Sequence, residues 1–277
     1  MSDLRHNVAR RDLHPLIVGA ALRGRPCLES TTICIGRREA TEGTPTNMNS
    51  DPQSPLILSV ETATLAGSVA LVRDQEILAA VGGDAKISHS NTLLHDTDKL
   101  LREAQVSLPE IDLFAVAIGP GSFTGLRIGI ATVKALAATL DRPCAGVPTL
   151  QAVALAAGAS ERTVALLPAG RGEVFAQLFS TTDNGFVTPL DQPAHISPQK
   201  LLEKYASLEN VLWSGEGAMA HKSLIEQNPG WQIAPEVSIL ATHVARLALL
   251  KFREQRLERP DALQAIYVRP SDAELKV

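Results

Sequence analysis

Polar groups that could hold a phosphate occur first in the glycine-rich segment GPGSFTG (119–125). A short apolar run ends at Gly119, and a helical pattern follows Ser122. The N–H groups at the start of a helix and the helix dipole both favour an anion, and Arg127 would add a cation. The same residues also suit a tight strand-to-helix connection that binds no ligand. The segment is not a phosphate loop of the Walker type, because Leu126 and Arg127 stand where that motif requires Lys and Ser or Thr.

A second candidate is the turn Glu61-Thr62-Ala63-Thr64, between two strand-like segments. Its carboxylate and hydroxyl groups could face a phosphate and its metal ion, or they could serve only to hold the turn. The candidate nucleotide or anion site of the chain consists of Glu61, Thr62, Gly119, Gly121, Ser122 and Arg127. His89 and His95 lie on one predicted helix, about 240° of helical rotation apart. They cannot share a metal ion from that helix, so no metal site is predicted.

A strand, a turn and a helix must position the glycine segment. Residues 115–118 are apolar and predict a buried strand, and Ser122 or Thr124 can cap the helix. Apolar residues then recur at helical spacing, at Leu126, Ile130, Val133, Ala137 and Leu140. Gly125 and Gly129 lie one turn apart inside this helix, where a glycine costs about 1 kcal/mol relative to alanine. We therefore expect another backbone to pack very close to these two positions.

The rest of the chain supplies further strands and helices. Three strand-like segments, LILSVET, GSVALVRD and EILAAVGG, predict a β-meander before a helix that Ser88 or Ser90 can cap. One face of that helix is formed by Leu93, Leu94, Thr97, Leu101 and Ala104. Later segments predict a hairpin over 163–179, a strand with a glycine loop at 214–217, an amphipathic helix over 241–255 and an extended tail. The order predicts an α/β protein with an N-terminal lobe (55–148) and a C-terminal lobe (149–277).

Composition excludes several classes of protein. The chain has 277 residues, a net charge of −4 and a pI of about 6.0, so it is not expected to bind nucleic acid on its own. Three cysteines form neither a disulfide framework nor a metal-binding pair, which fits a reducing cytoplasm, and no apolar run is long enough to span a membrane. Residues 1–54 differ in composition from the rest. We interpret them as a disordered extension, or as the product of an upstream start codon on a gene whose protein properly begins at Met48. The third interpretation is a basic arm that contacts RNA.

Six segments, taken in order, resemble the bacterial TsaB family, also called YeaZ. They are LSVETATLAGSVALV, HSNTLL, GPGSFTGLRIGIATVKALA, GVPTL, RGEVFAQ and YVRPSDAEL, and they extend from about Leu56 to Leu275. The resemblance implies an actin-like ATPase fold (ASKHA, ribonuclease H-like) with two lobes. It also implies a role in making N6-threonylcarbamoyladenosine in the anticodon loop of tRNA. In that family TsaB is a non-catalytic partner of TsaD, which has the active site, and the small ATPase TsaE joins the pair.

The resemblance also implies a partner surface. The family uses the helices corresponding to 91–104 and 124–140 to pair with TsaD or with a second copy of TsaB. The implied interface residues are Leu93, Leu94, Leu101, Gly125, Gly129, Ile130 and Val133. No cofactor is expected to be bound firmly, although ATP or ADP with Mg²⁺ at the junction with TsaD is a candidate. Contact with tRNA is expected only through the complex.

The sequence departs from its catalytic relatives at one place and from the usual pattern of the family at another. Those relatives have an HMEGH segment after a Gly-Val strand end, and its two histidines hold a metal ion. Thr149 and Val153 stand at those positions here, and neither side chain is an imidazole or carboxylate ligand. No catalytic residues are therefore predicted. In addition, Pro168 replaces an Asp that the family usually has before the hairpin turn, whereas Arg171 and Glu173 match the family pattern.

Two other classes of function compete with the partner-subunit hypothesis. A freestanding kinase-like enzyme could use Glu61 and the glycine segment for phosphate, with Ser214-Gly215-Glu216-Gly217 as a weak second glycine turn. A metallopeptidase would need HExxH or an equivalent metal set, which the sequence lacks. A direct tRNA binder is disfavoured by the acidic balance and by an aromatic content of 4%.

Overall fold

The computed structural model describes residues 32–34, 54–83 and 89–268, which form two β-sheets with helices packed on them. The predictions for Met48, Ser88 and the chain after Val268 lie outside these residues, as does most of the predicted extension. The strands are β1 (Thr32–Cys34), β2 (Leu56–Glu61), β3 (Ser68–Arg73), β4 (Glu76–Gly82), β5 (Leu113–Gly119), β6 (Cys144–Pro148), β7 (Ser160–Gly170), β8 (Glu173–Thr181), β9 (Val187–Pro189), β10 (Ala194–Ile196), β11 (Val211–Ser214) and β12 (Trp231–Ile233). The helices are α1 (His89–Glu103), α2 (Phe123–Thr139), α3 (Thr149–Ala156), α4 (Pro198–Tyr205), α5 (Glu216–Ala220), α6 (Lys222–Ile225) and α7 (Ala241–Arg253). In these described ranges, no helix combines the length and the apolar character that crossing a membrane requires.

The first sheet has the strand order β1-β4-β3-β2-β5-β6. Strands β2, β3 and β4 form the predicted antiparallel meander, and β5 and β6 continue the sheet in parallel with β2. All six residues of β2 are buried, because helices α1, α2 and α7 pack on this sheet. The short strand β1 pairs with β4, although it belongs to the segment predicted as an extension.

Helix α7 packs against the first sheet, although the sequence analysis placed its residues in the 149–277 lobe. The Ser59 hydroxyl donates to the Ala241 carbonyl at 2.8 Å, and the Ala241 N–H donates to Ser68 Oγ at 3.0 Å. Val244 and Ala248 in α7 are fully buried in the same core as β2. The position of α7 is therefore a correction. An apolar stripe predicts a buried helix face but does not identify the sheet that covers it.

The second sheet has the order β10-β8-β7-β11-β12, with β9 paired to β8. The predicted hairpin is confirmed as β7 and β8, whose turn has positive φ angles of 78°, 52° and 78° at Gly170, Arg171 and Gly172. A smaller core lies on this sheet around Trp213, whose ring centroid is 4.7 Å from that of Trp231. The two sheets confirm the expected α/β protein with two lobes.

A segment after α7 that contains one 3₁₀ turn (Pro260–Ala262) crosses the edge of the first sheet, and we call residues 258–268 the C-terminal strap. Cys144 and Glu258 exchange two backbone hydrogen bonds of 2.9 Å, and Glu258 Oε2 accepts from the Gly146 N–H at 2.7 Å. Further along, the Ile266 N–H donates to the Ile118 carbonyl at 2.7 Å. The predicted extended docking of the tail is thus confirmed for the residues that the structure describes.

Candidate functional site

The two segments predicted to bind an anion lie side by side, where the β2–β3 turn meets the start of α2. The Ser122 N–H donates to the Ala63 carbonyl at 2.8 Å. A Cβ atom on Gly121 would lie 2.5 Å from that carbonyl oxygen, so the approach requires glycine. Ser122, rather than Thr124, is the N-cap of α2, since its Oγ accepts from the Gly125 N–H at 3.2 Å.

Thr62 contacts α2 at both of its internal glycines. Its hydroxyl donates to the Gly125 carbonyl at 2.8 Å, and a Cβ atom on Gly129 would lie only 2.3 Å from the same Oγ1 atom. The expected close approach therefore exists at Gly129, but the neighbour is a buried side chain of this chain. The prediction of another backbone is wrong at Gly129, because the Thr62 hydroxyl lies where a Cβ atom would be.

Glu61 is buried, with 1% of its surface exposed, and its carboxylate faces its own turn. Oε1 accepts from the Thr64 N–H at 2.7 Å, while Oε2 accepts from the Thr64 hydroxyl at 2.7 Å and the Ser68 hydroxyl at 3.5 Å. Ser68 in turn accepts from α7, as described above. These contacts fit the alternative in which Glu61 holds the turn. Its role toward a phosphate or a metal ion stays a prediction.

The other members of the predicted anion site have contacts within the chain. The Gly119 N–H donates to Thr149 Oγ1 at 3.0 Å, and a Cβ atom on Gly119 would lie 2.5 Å from the Ile266 carbonyl of the C-terminal strap. The Arg127 guanidinium lies 3.9 Å from the centroid of the Phe123 ring. Because the N–H groups of Gly119 and Ser122 are already donated, an anion here would depend on the first N–H groups of α2. The nucleotide site therefore stays a prediction.

The candidate second glycine turn, 214–217, is a strand-to-helix connection in which Gly215 precedes α5. A Cβ atom on Gly215 would lie 2.3 Å from the Leu166 carbonyl oxygen, and the residue has a φ of +99°. Burial raises the pKa of the Glu216 carboxyl above its ordinary value, and the nearby Glu61 carboxylate raises it further. The predicted glycine loop is thus corrected, because two of its four residues begin a helix that packs on β7.

The seven residues predicted at the partner interface divide by exposure. Six of them are buried in the chain's own core, namely Leu93, Leu101, Gly125, Gly129, Ile130 and Val133. Leu94 is 64% exposed and lies on the outer face of α1. The four larger residues of this group pack in the core of the first lobe, so their predicted contact with a partner stays a prediction. The pairing role of the two helices stays a prediction that depends on their exposed faces.

Helix α2 has an exposed face that the sequence analysis missed. It consists of Thr124, Arg127, Ala131, Ala135 and Ala138. These positions recur at helical spacing, on the side away from the apolar stripe of Leu126 and Val133. The three alanines of this face are small and would permit a second helix to approach closely, within the 8–10 Å that is typical of packed helices. Alanine occurs both in cores and on surfaces, so the alanines do not themselves indicate which side of α2 is exposed. Only the larger apolar residues on the opposite side, such as Leu126 and Val133, could have indicated it.

The remaining residues that the sequence analysis singled out do not form a metal site. His95 is exposed, and the side chain of His89 lies outside the described residues. Glu173 Oε2 lies 2.8 Å from His195 Nε2 on the neighbouring strand β10, while Pro168 is exposed near the end of β7. Over the described ranges, no group of three His, Cys, Asp or Glu side chains is placed to hold a metal ion.

Comparisons with known proteins identify relatives that extend over both sheets. Residues 71–263 match the family model described as TsaD: tRNA N6-adenosine threonylcarbamoyltransferase. The chain is 28% identical to the tRNA threonylcarbamoyladenosine biosynthesis protein TsaB of Bacillus subtilis (strain 168), over 79% of this chain and 96% of that protein. It is 32% identical to the protein of the same name from Escherichia coli (strain K12), over 65% of this chain and 74% of that protein.

Solved structures give the same result. YeaZ from Pseudomonas aeruginosa superposes with a TM-score of 0.67 and 27% identity, over 77% of this chain and 99% of that one. A second structure, of an uncharacterized protein with similarity to peptidase YEAZ from Pseudomonas aeruginosa, has a TM-score of 0.68 and 26% identity. That superposition includes 78% of this chain and all of the other one.

Proposed function

This chain belongs to the TsaB (YeaZ) family, which is related to TsaD, and on that premise we propose that it is a non-catalytic subunit of the complex that forms N6-threonylcarbamoyladenosine in tRNA. The solved YeaZ structures confirm the actin-like (ASKHA) fold of two lobes. The observation that supports the function most directly is the match to 96% of the length of a protein named for threonylcarbamoyladenosine biosynthesis.

The residues at the positions of the catalytic relative's histidines support the non-catalytic part of the proposal. Thr149 is fully buried, and its hydroxyl accepts from the Gly119 N–H. Val153 is 4% exposed and packs beside Gly215, where an added Cβ atom would lie 2.9 Å from its Cγ1. Both positions therefore serve the packing of β5, α3 and α5. Neither residue has an imidazole or carboxylate group that could hold a metal ion, which supports a structural role for both positions.

The exposed faces of α1 and α2 are the surface that we propose for TsaD. The two helices contact each other on the first sheet. They present Leu94 and the alanine face of α2 to solvent. In this proposal TsaE joins the pair, and ATP or ADP with Mg²⁺ binds at the junction with TsaD. The chain contacts tRNA only through the complex, which works in the cytoplasm. A second copy of this chain would use the same surface, which makes a homodimer an alternative to the TsaD pair.

Replacing Ala131 by Arg is expected to weaken binding to TsaD by about thirtyfold or more, the loss typical of a central interface residue. The longer charged side chain prevents close approach of a partner helix, whereas an exposed arginine is a good helix former and leaves the fold intact. Leu94→Asp is expected to act in the same direction from α1. The measurement is the dissociation constant of the purified pair, by titration calorimetry, with circular dichroism to verify the fold.

Ala220→Arg is the matched control, because Ala220 is exposed on α5 in the second lobe. It should leave the affinity for TsaD unchanged. If Ala131→Arg and Leu94→Asp both bound TsaD as tightly as the unmodified chain, the proposed surface would be excluded.

A further inference from the structure

A cleft of about 500 Å³ lies at the other end of the first sheet from the glycine turn. Its walls are the β3–β4 turn at Gln75, the β8–β9 turn at Asp183 to Phe186, and the outer face of α7 at Arg246 and Leu250. The six residues of β3 separate this cleft from the β2–β3 turn, a distance of about 20 Å. Its volume lies within the range of about 300–1,000 Å³ that is typical of small-ligand sites.

Arg246 provides an uncompensated positive charge in this cleft. Among the described residues it forms no ion pair and no hydrogen bond, whereas the nearby Arg253 pairs with Asp74. The Arg246 side chain lies against the β8–β9 turn, where a Cβ atom on Gly185 would be 3.3 Å from Nη2. A guanidinium group presents a planar fork of donors that matches a phosphate or a carboxylate. The cleft therefore has a binding group for one anionic moiety.

Phe186 provides a flat apolar surface in the same cleft. Its side chain is 51% exposed, and the turn that holds it is fixed by three hydrogen bonds. They join Thr182 N–H to the Phe186 carbonyl at 3.0 Å, Gly185 N–H to the Thr182 carbonyl at 2.9 Å, and Phe186 N–H to the Thr182 hydroxyl at 3.2 Å. The backbone that bears the ring is therefore held in place, and Leu250 adds apolar surface from α7. An exposed ring of this kind stacks well on a nucleobase.

Asp183 adds a hydrogen-bond acceptor at the rim. Within the described chain its carboxylate has no hydrogen-bond or ion-pair partner. Carboxylates bind the hydroxyl groups of a ribose in nucleotide sites. Arg253 and Glu254 also line the cleft, but each has an ion-pair partner, Asp74 and Arg256 respectively. The cleft therefore fits a ligand with one anionic group, hydroxyl donors and a planar ring.

From this combination we propose that the cleft binds one nucleotide unit, with its phosphate on Arg246, its ribose near Asp183 and its base against Phe186. The unit is either a free nucleoside monophosphate or one nucleotide of an RNA strand, since both present the same three groups. The site is separate from the α1 and α2 surface and goes beyond the proposed function. It is measured on this chain alone, so its failure leaves the pairing with TsaD unaffected.

The test is titration calorimetry of the full chain with AMP, and separately with a single-stranded decamer of oligoadenylate. We expect one binding site, with affinity about tenfold lower or more in both Arg246→Gln and Phe186→Ala. Arg259→Gln is the matched control, because Arg259 is an exposed arginine outside the cleft, and it should bind like the unmodified chain. Circular dichroism of each variant verifies the fold.

The two ligands distinguish the sources. Binding of AMP that both variants weaken assigns the cleft to a free nucleotide. Binding of the decamer alone, again weakened by both variants, assigns it to RNA. Absence of binding by both ligands, or binding that neither variant changes, would overturn the proposal.

Discussion

Replacing Gly129 by Leu is expected to destabilise the folded chain by about 3 kcal/mol or more, the combined cost of overpacking a core and breaking a buried hydrogen bond. The new Cβ atom would lie 2.3 Å from the Thr62 hydroxyl, which donates to the Gly125 carbonyl. Thr62 belongs to the β2–β3 turn and is 1% exposed, so its side chain is buried against α2. The measurement is chemical denaturation, with the free energy of unfolding extrapolated to water.

Two controls isolate the clash from the general effect of substituting glycine or enlarging α2. Gly230→Ala places its Cβ atom at ordinary contact distance, 3.7 Å from the nearest atom, and should change stability little. Ala131→Leu places the same leucine side chain on the exposed face of α2 and should also be tolerated. A Gly129→Leu variant as stable as these two would show that Thr62 does not pack against α2 as described.

Replacing Glu61 by Ala is expected to lower the free energy of unfolding by about 2–4 kcal/mol, because it removes a buried acceptor from buried and half-buried donors. Those donors are the N–H and hydroxyl of Thr64 and the hydroxyl of Ser68. Ser68 also accepts from the Ala241 N–H, so the loss extends to the attachment of α7. Thermal and urea denaturation, followed by circular dichroism, measure the change.

Glu110→Ala is the matched control for Glu61. Glu110 also accepts from a neighbouring backbone N–H and hydroxyl, both of Ser107, at 2.7 and 2.6 Å, but it is exposed. Water replaces its bonds, so its loss should cost much less. Equal stability losses for the two variants would contradict the account of Glu61 as a buried anchor of its turn.

Local pattern was sufficient to predict the elements around α2. The spacing of Leu126, Ile130 and Val133 predicted the buried stripe. Ser122, which is the N-cap of α2, was one of the two residues predicted to cap this helix. The hairpin was predicted because glycines flank Arg171 between two apolar runs. Each of these features depends on residues within a few positions of one another, where periodicity and turn chemistry are informative.

Contacts between distant residues could not be predicted in the same way. Thr62 bonds to Gly125, 63 positions later, and Ser59 bonds to Ala241, 182 positions later. Glu258, which binds the backbone of Gly146, has no local pattern that distinguishes it from a solvent-exposed carboxylate. The predicted interface residues illustrate the same limit, since an apolar helix position predicts burial without identifying what covers it.

The most direct measurement of the proposed function is threonylcarbamoyl transfer to tRNA in a reconstituted system from which one protein at a time is omitted. The account predicts that transfer requires both this chain and TsaD, and that this chain alone gives none. It also predicts that Ala131→Arg lowers transfer together with TsaD binding, whereas Ala220→Arg does not. Transfer by this chain in the absence of TsaD would contradict the account and would make Glu61 and the glycine turn the candidate active site.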